Sequence, residues 1–286
     1  MGERKTVILS DSTCDLSAEI VKARDIKISP LTVVFGDEKH LDGVDVTPDD
    51  VYDYYKNTKS LAKTTATNMA EHEDFITENV PEGKEAVYFN ISSEMSTTFN
   101  NARLAAEEMD NVYVIDSRNL STGIGLLVLH ACDLADEGKS AKEIYDEITE
   151  LTAYVDASFV VETLEYLHKG GRCSSIAALG ANLLKLRPMI QVKDGKMGVA
   201  KKYRGKMSEV FKQYVDEKLN DENKFIGKRI FITHSGNCDE IAVELKEMVL
   251  KAYPDKEVII TRAGCTVSCH CGPGTLGVLG IRENKI

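Results

Sequence analysis

Three signatures of common enzyme classes are missing from this sequence. There is no G-x-x-x-x-G-K-S/T phosphate loop, no G-x-G-x-x-G following a strand-like run, and no G-x-S-x-G elbow. The first two absences argue against nucleotide binding by the familiar glycine-rich loops, and the third against the α/β-hydrolase form of serine catalysis. Long apolar runs are also lacking. The longest, over 124–132, is broken by Gly125 and His130, whereas a membrane-spanning helix needs roughly 20 apolar residues. The run over 6–9, behind Met1-Gly2-Glu3-Arg4-Lys5, is shorter than the core of a signal peptide, so neither a signal peptide nor a stable membrane anchor is expected. Basic residues are too few for a nucleic-acid partner: 35 stand against 46 acidic ones, a formal charge of −11, and phosphate contact calls for a basic surface. The seven cysteines are odd in number and lack the spacing of a disulfide framework. They read as reduced thiols, which makes the cytoplasm the expected location.

Apolar residues make up 43 % of 286, enough for substantial cores and a length that suits two domains. In the first half, short β-branched runs over 6–9, 28–35, 86–91 and 112–115 read as strands. They alternate with helical patterns over 15–23, 98–109 and 123–137. Thr47-Pro48-Asp49-Asp50 is a strong helix start, with a capping threonine, proline in the first turn and acids near the dipole's positive end. Ser140 to Glu143 has the form of a capping box. Such alternation predicts a parallel sheet covered by helices, with binding sites beyond the carboxyl ends of its strands.

The second half mixes a strand over 159–163, a helix over 177–186 and a hairpin around Lys193-Asp194-Gly195-Lys196. A helix over 208–219, a strand over 229–233, a helix over 239–252 and a strand over 257–261 follow. This reads as an α+β domain. The boundary falls near 155–158, giving domains 1–157 and 158–286.

Five polar clusters punctuate these elements. Ser10-Asp11-Ser12-Thr13-Cys14-Asp15 follows the first strand and either caps the next helix or lines a site. Lys63-Thr64-Thr65-Ala66-Thr67-Asn68 is by itself an ordinary polar loop. Ser92-Ser93-Glu94-Met95-Ser96-Thr97-Thr98 leads into a helix N-terminus, where free N–H groups and hydroxyls favour an anion or simply cap. Lys169-Gly170-Gly171-Arg172 combines glycines that permit close backbone approach with a cation that can fork onto an oxyanion, or else forms a surface turn. Finally, Cys265, Cys269, His270 and Cys271 lie within seven residues ahead of Gly272-Pro273-Gly274. Cys269, His270 and Cys271 are too close together for easy tetrahedral chelation, so no metal is expected there. The glycine-rich tail instead suits bringing His270 to a ligand.

Taken in order, these segments resemble the DegV family: Asp11-Ser12-Thr13-Cys14-Asp15-Leu16, Lys63-Thr64-Thr65, Ser92-Ser93-Glu94-Met95-Ser96, Lys169-Gly170-Gly171-Arg172 and His270-Cys271-Gly272-Pro273-Gly274. The resemblance spans nearly the whole chain. It implies the family's EDD fold, a Rossmann-like N-terminal domain and a C-terminal α+β domain with a lipid bound between them. It further implies a bacterial carrier that presents a long-chain fatty acid to a separate ATP-dependent fatty acid kinase, which makes an acyl phosphate for phospholipid synthesis. On this resemblance Thr64, Ser96 and His270 hold the carboxylate, Arg204 engages the kinase, and Arg172 supports phosphate or the partner. No cofactor beyond the fatty acid ligand is implied, and no catalysis without the kinase. A protonated His270 would also stabilise a charged product. Two departures bear on the headgroup: Ala66-Thr67 replaces the family's usual Gln-Pro, and Thr97 replaces the glycine after Ser96.

Two other readings compete. One is a hydrolase or acyl transferase using Ser96 and His270, with Asp11 as the orienting acid. The other is a thiol or metal sensor built on Cys265, Cys269 and Cys271.

Overall fold

A computed structural model describes residues 4–173 and 186–286. The first sheet has the order β2 (Ile26–Ser29), β1 (Thr6–Asp11), β6 (Glu85–Asn90), β7 (Val112–Asp116). All its pairings are parallel. Its strands are buried on both faces, as parallel strands are. Ile8, Val87, Phe89 and Ile115 point one way, and Leu9, Ala86, Tyr88 and Val112 the other. The second group packs under α3 (Met69–Asn79) and α4 (Thr98–Ala105).

The second sheet is mixed, in the order β10 (Lys196–Tyr203), β9 (Arg187–Lys193), β8 (Val155–Val160), β13 (Thr275–Arg282), β11 (Phe225–Ser235), β12 (Glu257–Arg262). Only β11 and β12 pair in parallel. Its outer face carries α8 (Met207–Leu219) and α9 (Asp239–Ala252) on a core that includes Phe211, Tyr214, Ile230 and Leu245. The β9–β10 hairpin turns through Asp194 at φ 51° and Gly195 at φ 79°, the left-handed pair that a two-residue turn requires.

Between the two sheets lies α5 (Thr122–Asp136). Twelve of its 15 residues are buried, so it has no solvent face of the usual amphipathic kind. It packs on β1 and β6 from one side and on β8, β11 and β13 from the other. A single apolar core therefore runs from Ile8 and Phe89 through Leu127 to Phe231 and Leu279. At the last turn of α5, Asp133 accepts from Arg24 Nη2 at 2.7 Å and from Arg229 Nη1 at 2.7 Å, so one carboxylate ties both lobes together.

A small antiparallel sheet, β4 (Glu38–Leu41), β3 (Thr32–Phe35), β5 (Lys63–Thr65), stands at the carboxyl end of the first sheet. Where the sequence predicts one strand over 28–35, the structure has two, β2 and β3. Pro30 separates them, because it has no N–H for a ladder, and the chain leaves one sheet for another there. The helix expected over 98–109 ends at Ala105, and the strand expected over 159–163 lies at Val155–Val160. The helices α2 (Pro48–Thr58) and α6 (Ala141–Leu151) start where Thr47 and Ser140 indicate, while the helix expected over 15–23 begins only at Ala18 as α1 (Ala18–Ala23), capped by Ser17; each cap accepts from the N3 backbone. The helix expected over 177–186 lies, save for its last residue, outside the described residues. Three helices are not among those the sequence predicts: α3, α7 (Glu165–Gly170) and α10 (Cys265–Cys271). Among the described residues, no helix is long and apolar enough to cross a membrane.

Candidate functional site

Four of the five polar clusters meet between the lobes, and the first supports their backbone through Asp11 on Ile91 N and Asp15 on Gly264 N. A cavity of about 440 Å³ opens there, within the range of small-molecule sites. Thr64, Ser96, Arg172 and His270 all line it. Its body is apolar, formed by Leu31, Ile91, Met95, Leu120, Met197 and Val267. A further space of about 30 Å³ shares Leu120, Val267 and Cys271 with it and is bounded by Phe159, Gly277 and Leu279. The mouth of the cavity is thus polar and its depth apolar, where α5 meets the second sheet.

Thr64 and His270 form the polar pair. Thr64 lies on β5, held in register by β3 through Val33, and its Oγ1 is 2.9 Å from His270 Nε2. His270 sits in the last turn of α10. Burial, and secondarily the nearby Arg172 cation, push the imidazole down to about 4, because both disfavour its charged form. The ring is therefore neutral near pH 7. The protonated His270 considered from sequence is not its resting form, and the charge beside the headgroup belongs to Arg172. Among the described residues, His270 Nδ1 has no hydrogen-bond partner, and the ring packs against Gly170, where a β-carbon would approach Nδ1 to 2.5 Å. This is the close approach for which the Gly170-Gly171 pair was singled out. Gly171 has a separate task, closing α7 at φ 67°.

Ser96 both lines the cavity and caps a helix. Its Oγ is 2.8 Å from Thr98 Oγ1 and accepts from Thr98 N at 3.2 Å. The loop carrying it is pinned from several sides. Ser93 Oγ donates to Asp116 Oδ2 at 2.6 Å, and Ile91 N donates to Asp11 Oδ2 at 2.7 Å. Ser92 Oγ donates to Gly195 O at 2.8 Å, Arg118 Nη2 donates to Asp194 O, and Lys196 pairs with Glu94 at 3.2 Å. The hairpin tip is thereby fastened to the serine loop, which sets Met197 over the cavity.

Asp11 does not orient His270. Its oxygens accept from Thr13 and Ile91, and burial lifts it to about 6. His270 Nε2 bonds Thr64 and Ser96 Oγ bonds Thr98, so the two are not hydrogen-bonded to each other as a nucleophile and its base would be. All seven cysteines are buried. Burial pushes Cys14 and Cys269 up to about 12 and raises Cys265 and Cys271 as well, which disfavours the reactive thiolate. Among the described residues, no group of three or more His, Cys, Asp or Glu is placed to hold a metal ion. Arg172 Nη1 donates to Gly170 O at 2.7 Å and its side chain reaches the cavity from an exposed position. Arg204 is exposed beyond the end of β10 and does not line the cavity. Sequence reasoning did not assign the apolar liners Leu31, Met95 and Met197 to a site, since they come from the β2–β3 connection, the loop after β6 and the start of β10, which only the fold brings together.

A family model described as "Uncharacterised protein, DegV family" matches residues 5–283. The chain belongs to the DegV family. A DegV domain-containing protein of Clostridium perfringens is 32 % identical over 281 residues, covering 98 % of this chain and 99 % of the relative. Among solved structures, a DegV family protein from Thermus thermophilus, described by its fatty acid binding, superposes with a TM-score of 0.85 at 27 % identity, covering 98 % of this chain and 100 % of that one. A stearic acid-binding protein from Eubacterium ventriosum matches with a TM-score of 0.82 at 29 % identity, over 98 % of this chain and 99 % of that one. DegV architecture thus accounts for both sheets and the helices between them.

Proposed function

We propose that this DegV protein is a fatty-acid carrier that buries an acyl chain between its lobes and holds the carboxylate at Thr64, Ser96 and His270. The observation that carries the reading is the polar Thr64–His270 pair, 2.9 Å apart, in the polar part of a cavity of about 440 Å³ whose remaining wall is formed by Leu31, Ile91, Met95, Leu120, Met197 and Val267. Each methylene taken from water gains about 0.8 kcal/mol, so a long chain gains on the order of 10 kcal/mol before association costs. A buried carboxylate must be hydrogen-bonded. Neutral donors do this without the fork of a bidentate arginine and leave an oxygen free to react. The fatty acid binding described for the Thermus thermophilus and Eubacterium ventriosum proteins supports this assignment.

The finer reading is that the carrier presents the carboxylate to a separate ATP-dependent kinase in the cytoplasm and turns nothing over by itself. Arg172 at the mouth then meets the incoming phosphoryl group or the kinase, and Arg204 on the exposed rim meets the kinase. We divide the lobes at residues 1–157 and 158–286, a boundary that falls within β8 (Val155–Val160), the strand by which the chain enters the second sheet. Native mass spectrometry followed by lipid extraction tests the core of the proposal. A co-purified fatty acid, lost in the Thr64→Ala, Ser96→Ala double variant, is the expected result. A ligand-free protein that also refuses added fatty acids would overturn it. Phosphoryl transfer from ATP to the bound acid, seen only when a kinase subunit is added, tests the finer reading.

A further inference from the structure

The helix that carries His270 is fastened from outside its own lobe. Its N-cap is Gly264, which has no side chain with which to cap. Carboxyl groups from the N-terminal lobe take its first N–H groups instead. Gly264 N donates to Asp15 Oδ1 at 2.9 Å, Cys265 N to Asp42 Oδ1 at 2.8 Å, and Thr266 N to Asp42 Oδ2 at 3.0 Å. The glycine makes room for them, since a β-carbon there would lie 3.0 Å from Asp15 Oδ1 and 3.4 Å from Asp42 Oδ1. Asp42 is buried, at 5 % exposure, and is itself oriented. Its Oδ2 also accepts from Ser12 Oγ at 3.0 Å, and Ser12 Oγ accepts from Leu31 N at 3.1 Å.

At the other end of the same helix His270 meets Thr64. Both grips come from one substructure. Thr64 is on β5, β5 pairs with β3, and β3 pairs with β4, which runs directly into Asp42. The small sheet therefore holds a seven-residue helix by its first turn and its last. So short a helix has little stability of its own, and its placement follows from these end contacts.

We propose that Asp42 is a positioning residue for the headgroup histidine: by binding the Cys265 and Thr266 N–H groups it places His270 Nε2 within reach of Thr64 and so assembles the carboxylate-recognising end of the cavity. For its ligand, this inference rests on the carrier reading above. For the position of the imidazole it does not.

The test uses the full chain with Asp42→Asn, Ser12→Ala and, as a destabilised control far from the cavity, Lys218→Met. Two quantities are read. One is the imidazole ¹⁵N and ¹³C resonances of His270 in ligand-free protein, assigned by their absence in His270→Gln. The other is the ratio of affinities for a long-chain fatty acid and for its methyl ester, which shares the chain but not the charge. Asp42→Asn is expected to move the His270 resonances and to weaken acid binding about tenfold, the scale of one hydrogen bond to a charged group, while ester binding stays within about twofold of wild type. Ser12→Ala moves both in the same direction and less. It decides the matter if Asp42→Asn does not fold. Lys218→Met lowers the melting temperature and moves neither. Unchanged His270 resonances with an unchanged acid-to-ester ratio in the decisive variant would overturn the proposal, as would equal changes in Lys218→Met. A wild-type protein that binds neither acid nor ester overturns the carrier reading alone, and the resonances still decide the role of Asp42.

Discussion

Replacing Gly170 with alanine perturbs the headgroup geometry without adding or removing any group that meets the ligand. The new β-carbon would lie 2.5 Å from His270 Nδ1, about 1 Å inside ordinary contact. Relief by retreat of the ring takes Nε2 from its 2.9 Å contact with Thr64 to beyond the roughly 3.2 Å limit of a good hydrogen bond. A hydrogen bond to a charged group contributes about 1.5–3 kcal/mol, so affinity for a fatty acid should fall by about 10- to 100-fold. Stability should move little or rise, because alanine is better in a helix than glycine by up to about 1 kcal/mol and Gly170 is the last residue of α7. Competition against a fluorescent fatty acid, together with thermal melts, reads both quantities. An unchanged melting temperature with affinity within about twofold of wild type would refute the reasoning, for it would mean that the Thr64–His270 contact is not what holds the carboxylate.

Further predictions concern the frame around the site. Asp156 is the counter-ion of two buried cations, 2.8 Å from both Lys218 Nζ and Arg282 Nη2. Asp156→Asn should cost about 3–5 kcal/mol and lower the melting temperature by about 5–8 °C at ~2.1 cal/mol/K per residue, which calorimetry would register. Asp15 is raised by burial to about 8, so between pH 4 and 8 the unfolded chain ionises this carboxyl while the folded chain keeps its proton. That contribution to stability is whole below about pH 4 and is lost as pH climbs toward 8. The melting temperature of wild type relative to Asp15→Asn should accordingly decline from pH 5 to pH 8. Asp133 is held below the usual carboxylate range by Arg229 and Arg24, against the opposing effect of its burial. Its contribution is present above about pH 4 and fades as pH falls further, so wild type should lose more stability than Asp133→Asn between pH 5 and pH 3.

Much of this was legible in the sequence where the signal is local. Thr47 with Asp50, and Ser140 with Glu143, are caps whose partners lie three residues away, and the Asp194-Gly195 turn is set by two residues. Illegible parts depend on distant chain. The Lys63-Thr64-Thr65 run reads as a polar loop because only pairing with β3 makes it a strand. The Cys265–Cys271 helix has a glycine cap and a mixed sequence, and its first turn is satisfied by residues more than 200 positions away. Asp42 beside Gly43 looks like an ordinary turn. Nothing in its neighbourhood tells of the two N–H groups it accepts from. The five clusters were found by their polarity, but the apolar walls between them came from the fold.

The helix at the centre of the molecule carries a consequence for how the chain is made. All the strands of the first sheet are specified by residue 116, yet α5 cannot shed water from its second face until β8, β11 and β13 exist, the last of which ends at Arg282. During synthesis the N-terminal half therefore waits with an apolar surface uncovered, at a stage when such surface invites aggregation. β13 lies in the middle of the second sheet, between β8 and β11, so the thirteenth strand closes the core rather than extends it. Truncation within β13 should consequently unmake both halves of the protein at once.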